Sequence, residues 1–379
     1  MQIVQHVRHD GAWQHTAGGD ALREAQLALV FGPRAALADP ALWGELAERY
    51  PAAHRVACST AGEIAGDTIT DAGVVVTALA FARGHVEVAA IQLGDGPDDL
   101  ALGAMLARRL PAAGLVHVLV LAEGLRLNGS ALVAGMAAVL PAHVGLTGGL
   151  SGDGARFERT AVCLDGPSPA EQVVAIGLYG DGVRIGVGSR GGWDPFGPER
   201  RITRAVRNVL YELDGEPALD LYKRYLAHHA AALPASGLLF PLTIRQGAGE
   251  PIVRTILGVD EATRSLTFAG DVPEGYRARL MRANLERLVD GASAAARTSL
   301  GDATAPQLAI LISCVGRKLV LRQRTEEEIE AVRDVVGADA VLTGFYSYGE
   351  IAPFTATTAC ELHNQTMTVT TISEVDRGP

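Results

Sequence analysis

The stretch Leu146-Thr-Gly-Gly-Leu-Ser151-Gly-Asp-Gly recurs near the C-terminal end of the chain as Leu342-Thr-Gly-Phe-Tyr-Ser347-Tyr-Gly-Glu350. The word Gly-Glu-Ile-Ala at 349–352 also occurs at 62–65. Aligning these words brings Thr60 into register with Ser151 and Ser347, and glycine follows each hydroxyl within two residues. A hydroxyl side chain followed by glycine is typical of a tightly shaped turn. The repetition predicts a chain built from related structural units.

Each hydroxyl is preceded by a predicted strand, a predicted helix and a second apolar run. The first strands are continuous in Val, Leu and Ile character, which is typical of buried strands, and they cover 27–31, 116–121 and 308–313. The helix signals that follow them cover 40–50, 130–140 and 325–336. The third helix opens with Thr325-Glu-Glu-Glu328, the pattern of a capping box. Matching order in three places predicts three copies of one unit.

The chain length of 379 residues exceeds one ordinary core and predicts two domains. The segment Gly186–Arg201, which contains Trp193, is dense in glycine and proline and predicts the boundary between domains 1–188 and 189–379. Each domain is predicted to contain two β-α-β-β-β units around a connecting helix. The connecting helices are predicted at 98–110 and 277–298, and a diverged fourth unit at 209–269. The predicted fold class is α/β, in the mixed α+β sense, with mixed sheets covered by helices.

Charge and composition exclude several kinds of partner. The formal net charge is −10 and no basic block is present, which argues against nucleic acid and anionic lipid. The four cysteines lack Cys-x-x-Cys spacing, so we expect a reduced, intracellular protein. The sequence shows no signal-peptide pattern and no apolar run long enough to cross a membrane, so we expect a cytoplasmic location.

The third hydroxyl turn has the richest chemistry. Tyr346 and Tyr348 flank Ser347, and Glu350 follows, in a chain that is only 5% aromatic. A hydroxyl, a carboxylate and aromatic rings at a strand end predict a ligand pocket. The structural alternative is that the carboxylate accepts backbone N–H groups to hold the turn while the rings pack as ordinary strand residues.

Further candidate ligand groups lie on both sides of this turn. His363-Asn364-Gln365-Thr366 stands directly before the last predicted strand, where the histidine could bind a metal and the two amides could bind a carboxylate or amide. Arg317 and Lys318 follow the strand at 308–313, where both could meet an anionic ligand, and the Arg317 fork suits a carboxylate best. His229 shares a predicted helix face with Tyr222 and Tyr225.

Known catalytic and cofactor motifs are absent from the sequence. The stretch Gly149-Leu-Ser151-Gly-Asp153 misses the Gly-x-Ser-x-Gly elbow by its last residue. There is no phosphate-binding Gly-x-x-x-x-Gly-Lys-Ser/Thr loop, no zinc-binding His/Cys grouping and no Cys-x-x-Cys-His haem attachment. Ser347 and Cys360 have no visible activating base, so we expect a protein that is not an enzyme.

In combination, five segments resemble the FIST family of bacterial sensory domains. These are Cys58-Ser-Thr-Ala-Gly-Glu-Ile64, Gly191-Gly-Trp193, Leu219-Asp-Leu-Tyr-Lys-Arg-Tyr225, Gly344-Phe-Tyr-Ser-Tyr-Gly-Glu-Ile351 and His363-Asn-Gln-Thr366. The resemblance covers roughly residues 25–373 and implies a FIST N-type and a FIST C-type domain. It implies ligand sensing and signalling, with a histidine kinase or a cyclic-dinucleotide enzyme as the output partner. The chain is most similar to stand-alone members, some of which bind haem and sense nitric oxide.

Haem sensing therefore becomes the first functional hypothesis, with non-covalent haem b as the cofactor. In that reading His363 or His229 would bind iron, Arg317 would pair with a propionate, and Tyr346 or Tyr348 would border the gas site. The alternative hypothesis is a receptor for a small metabolite such as an amino acid. Its ligand contacts would be Ser347, Glu350, Arg317 and the amides of Asn364 and Gln365.

Overall fold

The fold was analysed in a computed structural model that describes residues 1–19, 22–94, 98–168, 171–301, 305–354 and 358–375. The first unit of the chain contains two strands ahead of the predicted β-α-β order. Its elements are β1 (Gln2–His9), β2 (Ala12–Gly18), β3 (Leu27–Gly32), α1 (Arg34–Leu37), α2 (Pro40–Arg49), β4 (His54–Ser59), β5 (Glu63–Ala65), β6 (Thr68–Thr70) and β7 (Val74–Ala80).

The second unit follows the same order with one leading strand and one leading helix. Its elements are β8 (His85–Gln92), α3 (Asp99–Arg108), β9 (Leu115–Ala122), α4 (Gly129–Ala137), β10 (Gly145–Leu150), β11 (Val162–Leu164) and β12 (Gln172–Tyr179). The predicted helix at 98–110 is thus confirmed as α3.

The third unit begins with β13 (Val183–Arg190) and is interrupted before its helix. The interruption contains β14 (Asp194–Val206), β15 (Val209–Leu213), β16 (Glu216–Pro217), α5 (Ala218–Leu226), β17 (Leu242–Arg245), β18 (Ile252–Arg254), β19 (Ile256–Asp260), β20 (Ser265–Phe268) and β21 (Arg277–Arg282), with 3₁₀ turns at Ala227–Ala232 and Ala235–Leu239. The unit then continues through α6 (Leu285–Leu300), β22 (Leu308–Cys314), α7 (Val315–Leu321), a 3₁₀ turn at Arg322–Arg324, α8 (Thr325–Val336), β23 (Val341–Ser347), β24 (Gly349–Pro353), β25 (Cys360–His363) and β26 (Met367–Glu374).

The three units form three six-stranded sheets that share one order over five of their six strands. Each sheet is centred on the parallel pair of one unit, and the antiparallel strand beside that pair comes from the same unit. The orders are β11-β4-β3-β7-β1-β2, β25-β24-β10-β9-β12-β8 and β6-β5-β23-β22-β26-β13. This arrangement confirms the predicted repeats and the predicted mixed sheets.

Each unit also gives one or two strands to the sheet of another unit. After its hydroxyl turn the first unit pairs β5 with β23, the second pairs β11 with β4, and the third pairs β24 with β10. Strands β6 and β25 accompany β5 and β24 into those sheets. The exchange is cyclic, so no sheet is completed by its own unit. The predicted domains 1–188 and 189–379 contribute strands to common sheets, and their boundary stays a prediction.

The inner faces of the three sheets share one core, which contains Leu29, Leu121, Ile310 and the Phe31–Phe345 ring pair at 4.9 Å. Helices cover the outer faces, with α1 and α2 on the first sheet, α3 and α4 on the second, and α6 and α8 on the third. The prediction of sheets covered by helices is therefore confirmed. No helix of the described ranges combines the length and apolar character needed to span a membrane.

The predicted fourth unit at 209–269 is wrong. Its strands belong to an antiparallel eight-stranded sheet, here named the inserted sheet (residues 194–282), which contains no parallel pair among its described strands. The physical reason is visible in burial, since β17 alternates buried and half-buried residues whereas β22 is buried along its whole length. An alternating strand needs only one covered face.

Two predicted helix starts have different outcomes. The helix predicted at 277–298 begins at Leu285, because Arg277–Arg282 forms strand β21 and Asn284 caps the helix by accepting from Arg287 N–H. The helix predicted at 325–336 has those bounds, but its capping box is wrong. The Thr325 hydroxyl bonds Arg322 O instead, and Glu328 is buried in other contacts.

The Leu-Thr-Gly word has a packing explanation. A Cβ atom on Gly148 would lie 1.9 Å from Val120 O, and one on Gly344 would lie 1.8 Å from Leu311 O, so only glycine lets each parallel pair approach this closely. The threonines of the same words bond across sheets, with Thr370 Oγ1 donating to Thr147 Oγ1 at 3.1 Å and Thr77 Oγ1 to Thr343 Oγ1 at 2.8 Å.

We therefore expect Gly344→Ala to lower the free energy of unfolding by about 3 kcal/mol or more, since the backbone of β22 must move to admit the methyl group. Chemical denaturation measures this loss. The matched control is Gly44→Ala, at an exposed position of α2 with no atom within 4 Å of the added Cβ. The control should gain up to about 1 kcal/mol, because alanine favours the helix over glycine. Similar small effects in both variants would contradict the close-approach explanation.

Candidate functional site

The three hydroxyl turns, at 60–65, 151–154 and 347–352, meet at one end of the three-sheet body. Backbone hydrogen bonds join every pair of turns in a closed ring. They run from Gly152 N–H to Ser59 O (2.8 Å), from Gly154 N–H to Thr60 O (3.0 Å), from Ala61 N–H to Tyr346 O (2.8 Å), from Tyr346 N–H to Gly62 O (2.8 Å) and from Tyr348 N–H to Leu150 O (3.1 Å). The repeated words therefore form a single structural centre.

Two of the turns contain the same hydroxyl–carboxyl pair. Thr60 Oγ1 lies 2.5 Å from Glu63 Oε1, and Ser347 Oγ lies 2.6 Å from Glu350 Oε1. In the second turn Ser151 Oγ donates to Ala122 O at 3.0 Å instead, because glycine occupies the carboxylate position there. All three hydroxyls are thus hydrogen-bonded within the protein, two of them to the carboxyl group of their own turn.

Both carboxyl groups are buried and hold their protons more tightly than in water. Burial raises the pKa of Glu350 to about 7, although Ser347, Thr366 and the more distant Arg317 favour the charged form. Burial likewise raises the pKa of Glu63 to about 8. Glu350 Oε2 accepts from Thr366 N–H and Oγ1, at 3.1 and 2.9 Å, whereas Glu63 Oε2 has no partner among the described residues.

Arg317 is fully buried and bonded within the protein. Its guanidinium forms an ion pair with Glu328 at 2.8 Å and donates to Gly191 O and Leu288 O, both at 2.7 Å. Glu328 also accepts from Tyr346 OH at 2.7 Å. A ligand carboxylate could reach Arg317 only if these bonds broke, so its predicted ligand role has no support in this geometry. Glu328 was not identified from the sequence as the partner of Arg317, because its position in the Thr325–Glu328 pattern predicted a helix-capping role instead.

The segment His363–Thr366 lies in the interior with its polar groups largely unmatched. His363, Asn364 and Gln365 are each 0% exposed. Among the described residues, His363 Nδ1 and both side-chain amide atoms of Asn364 and of Gln365 have no hydrogen-bond partner. These five atoms are more than half of the nine such buried atoms in the described part of the chain. Gln365 also has φ of +63°, a left-handed backbone conformation unusual for its residue type.

This segment is tied to the inserted sheet and to the linker that leads into it. Trp193 Nε1 donates to Gln365 O at 2.9 Å, and the buried Arg254 donates from Nη1 to Leu362 O at 2.8 Å. We name the contact between the three-sheet body and the inserted sheet the seam. Sequence reasoning had no signal for Arg254, whose pKa is lowered to about 10 by burial.

Three cavities follow the seam. The first, of about 230 Å³, is lined by Tyr348 and Phe157, whose rings stack at 4.4 Å, and by Arg207 and Leu257 of the inserted sheet. The second, of about 250 Å³, includes Arg254 and 360–362. The third, of about 340 Å³, includes Trp193, Phe354 and Thr366. Tyr348 is thus the predicted aromatic that borders open space, whereas Tyr346 is completely buried.

The two predicted haem ligands have different surroundings. His363 Nε2 lies 2.7 Å from Ala352 O, the ring of Phe354 meets it edge-on at 4.3 Å, and burial lowers its pKa to about 4. His229 is half-buried in the inserted sheet and packs on His228 and Phe240. Neither histidine lines any of the cavities described above. Within the described ranges, no three His, Cys, Asp or Glu residues are grouped as a metal site.

Comparison with known proteins gives matches along most of the chain. A family model described as the FIST N domain matches residues 26–216, and one described as the FIST C domain matches residues 218–353. No curated protein matches the chain. Among solved structures, cyanuric acid hydrolase from A. caulinodans is similar, with a TM-score of 0.34 and 11% sequence identity over 92% of this chain and 91% of that chain. A likeness this weak transfers no activity.

The buried carboxyl groups predict a specific pH dependence. A raised pKa means that the folded state binds the proton more tightly than the unfolded state, so this contribution to stability is complete below the ordinary value of 4.5. It is lost as the pH rises through about 7 for Glu350 and about 8 for Glu63. We expect Glu350→Gln to lose less stability than the wild type between about pH 5 and pH 8, measured by denaturation at each pH.

The control for this experiment is Glu48→Gln, at an exposed position of α2. It should follow the wild-type curve, since its carboxyl group stays in water. If Glu350→Gln followed the wild type as closely as the control does, Glu350 would be ionised in the folded protein.

Proposed function

Since this chain belongs to the FIST family, whose domains are sensory and serve signal transduction, we propose that it senses a small polar metabolite at the seam. One observation carries the proposal, namely the buried, unpartnered polar atoms of His363, Asn364 and Gln365. Buried polar groups in folded proteins are almost always hydrogen-bonded, and each one left without a partner costs about 1–3 kcal/mol. A segment with five such atoms is suited to receive a ligand.

The chemistry of these groups favours a ligand with both acceptor and donor atoms. Each amide offers a carbonyl acceptor and two N–H donors, and His363 Nδ1 is an acceptor when Nε2 carries the proton. A carboxylate would bond the amide N–H groups, and an ammonium would bond the amide oxygens and Nδ1. An amino acid has both groups. The cavities of about 250 and 340 Å³ beside the segment are of suitable size, but they are lined by the flanking residues 360–362 and Thr366, so 363–365 must shift for a ligand to reach their polar atoms.

A route for the signal follows from what holds the segment in place. Trp193 of the linker bonds Gln365 O within the segment, and Arg254 of the inserted sheet bonds O of the preceding residue, Leu362. A ligand that moves 363–365 changes these bonds. If the inserted sheet can occupy two positions relative to the three sheets, the ligand favours the position to which it binds more tightly, and the size of the shift is set by the difference between the two affinities. The output partner, a histidine kinase or a cyclic-dinucleotide enzyme, would read that position. This partner, the cytoplasmic location and the non-enzymatic role stay predictions.

The first test replaces Asn364 with leucine, which keeps the approximate shape and removes the amide. Without ligand we expect Asn364→Leu to be more stable than the wild type by about 1 kcal/mol, because two unpartnered polar atoms leave the interior. A ligand that binds the folded state stabilises it. In a thermal-shift screen of amino acids, at least one should therefore raise the melting temperature of the wild type, and none should raise that of the variant, which lacks the amide.

The matched control is Asn284→Leu. In the wild type the Asn284 amide donates to Asp194 and accepts from Arg287 N–H, so this asparagine already has partners within the protein. The control variant should be less stable than the wild type and should keep the ligand response. A screen with no hit for the wild type, or an undiminished response in Asn364→Leu, would refute the proposed site.

Haem-based sensing of nitric oxide is the second candidate. The observation that favours it is the tautomer of His363, since an Nε2–H bonded to Ala352 O leaves the Nδ1 lone pair free, as in histidines that bind metals. The space around the ring does not fit a porphyrin, because His363 is 0% exposed and Phe354 covers its edge.

Reconstitution with haem tests this candidate directly. From the packing of His363 we expect weak uptake that neither His363→Ala nor His229→Ala changes, measured by absorption with and without nitric oxide. A saturable one-to-one Soret band that disappears in only one variant and shifts with nitric oxide would instead establish haem sensing and identify the ligand.

A further inference from the structure

A separate cavity of about 670 Å³ lies beside the end of β3 in the first sheet. Its lining includes Arg34 and Leu37 after β3, Arg159 and Thr160 ahead of β11, and Arg126 from the loop after β9. It is therefore formed by the segment that follows β3 in the first unit and by several loops of the second unit. It lies away from the segment 363–366, which contributes nothing to its lining.

The charge of this cavity is mostly positive. Three arginines and one glutamate line it. Glu171 is already used by Arg126, at 2.9 Å. The side chains of Arg34 and Arg159 have no hydrogen-bond or ion-pair partner among the described residues, and Arg34 Nε is buried in this state. The nearby Asp153 accepts from the Arg156 side chain and from Arg159 N–H, and its charge also acts on Arg34, with which it forms no ion pair. The guanidinium groups of the half-buried Arg34 and the exposed Arg159 thus remain for a ligand.

The third unit also has an arginine after the first strand of its parallel pair, although one residue further along. Arg317, the third residue of α7, is neutralised there by the buried Glu328, whereas Arg34 is the first residue of α1. No described carboxylate forms such an ion pair with Arg34. The first unit thus has an arginine without an ion-pair partner near this strand end, beside open space.

We propose that this cavity is a second ligand site, for a small metabolite with a phosphate or multiple carboxylate groups. The planar arginine fork matches the paired oxygens of both groups, and a volume of this order accommodates a metabolite rather than a single ion. The proposal does not depend on the amino-acid site, because no residue is shared between the two.

Isothermal titration calorimetry of the full-length protein tests the site with two probes, pyrophosphate and citrate. Arg34→Gln should weaken the binding of the preferred probe about tenfold, which is the effect of losing one good charge-assisted contact. The double variant Arg34→Gln/Arg159→Gln should abolish binding. Preference for pyrophosphate identifies a phosphate ligand, and preference for citrate identifies a polycarboxylate.

The matched control is Arg23→Gln, which removes the same charge from an exposed position ahead of β3, at the opposite end of the strand from Arg34. The affinity of this variant for the probe should equal that of the wild type, and circular dichroism should show that all three variants are folded. Absence of binding to the wild type at millimolar probe concentration would overturn the proposal. So would equal weakening by Arg23→Gln, because binding would then reflect overall charge only.

Discussion

The ring of backbone hydrogen bonds among the three hydroxyl turns is the constraint on which the rest of the structure depends. Each turn leaves N–H and C=O groups that its own unit cannot satisfy, and each bonds groups of another turn. Because buried backbone groups need partners, no unit can complete its sheet alone. The cyclic exchange of β5, β11 and β24 is the consequence, and it makes the three-sheet body one cooperative structure.

This constraint also explains why the predicted site residues divide into two groups. Ser347, Glu350 and Tyr346 lie at or beside the ring, and Arg317 supports it through Glu328, so all four are used by the protein itself. Tyr348, at the edge of the ring, borders open space. Asn364 and Gln365 follow the strand that pairs with β24, where the ring no longer supplies partners. Unmatched polar groups therefore occur at the margin of the structural centre.

The sequence predicted those parts of the fold that repeat. The strand–helix order of the three units, the helices that cover the sheets and the alignment of Thr60, Ser151 and Ser347 follow from words that recur, because the same local packing needs the same residues. Strand exchange was not predictable, since β5 has the same pattern whether it pairs with its own unit or with another. The pairing of Arg317 with Glu328 was hidden because a buried ion pair leaves no periodic signal. Of the candidate site, the sequence identified the segment 363–366, but its lack of internal partners is visible only in three dimensions.

The inserted sheet enters and leaves the third unit at one place. Its first strand pairs with its last, and Asp194 lies opposite Arg282. The Asp194 carboxylate also accepts a hydrogen bond from Asn284, the N-cap residue of α6, and forms an ion pair with Arg287. The two ends of the segment are thus neighbours, so its presence or absence leaves the path of the surrounding chain unchanged. A rigid-body movement of the inserted sheet would therefore alter the seam while the three sheets keep their strand pairing.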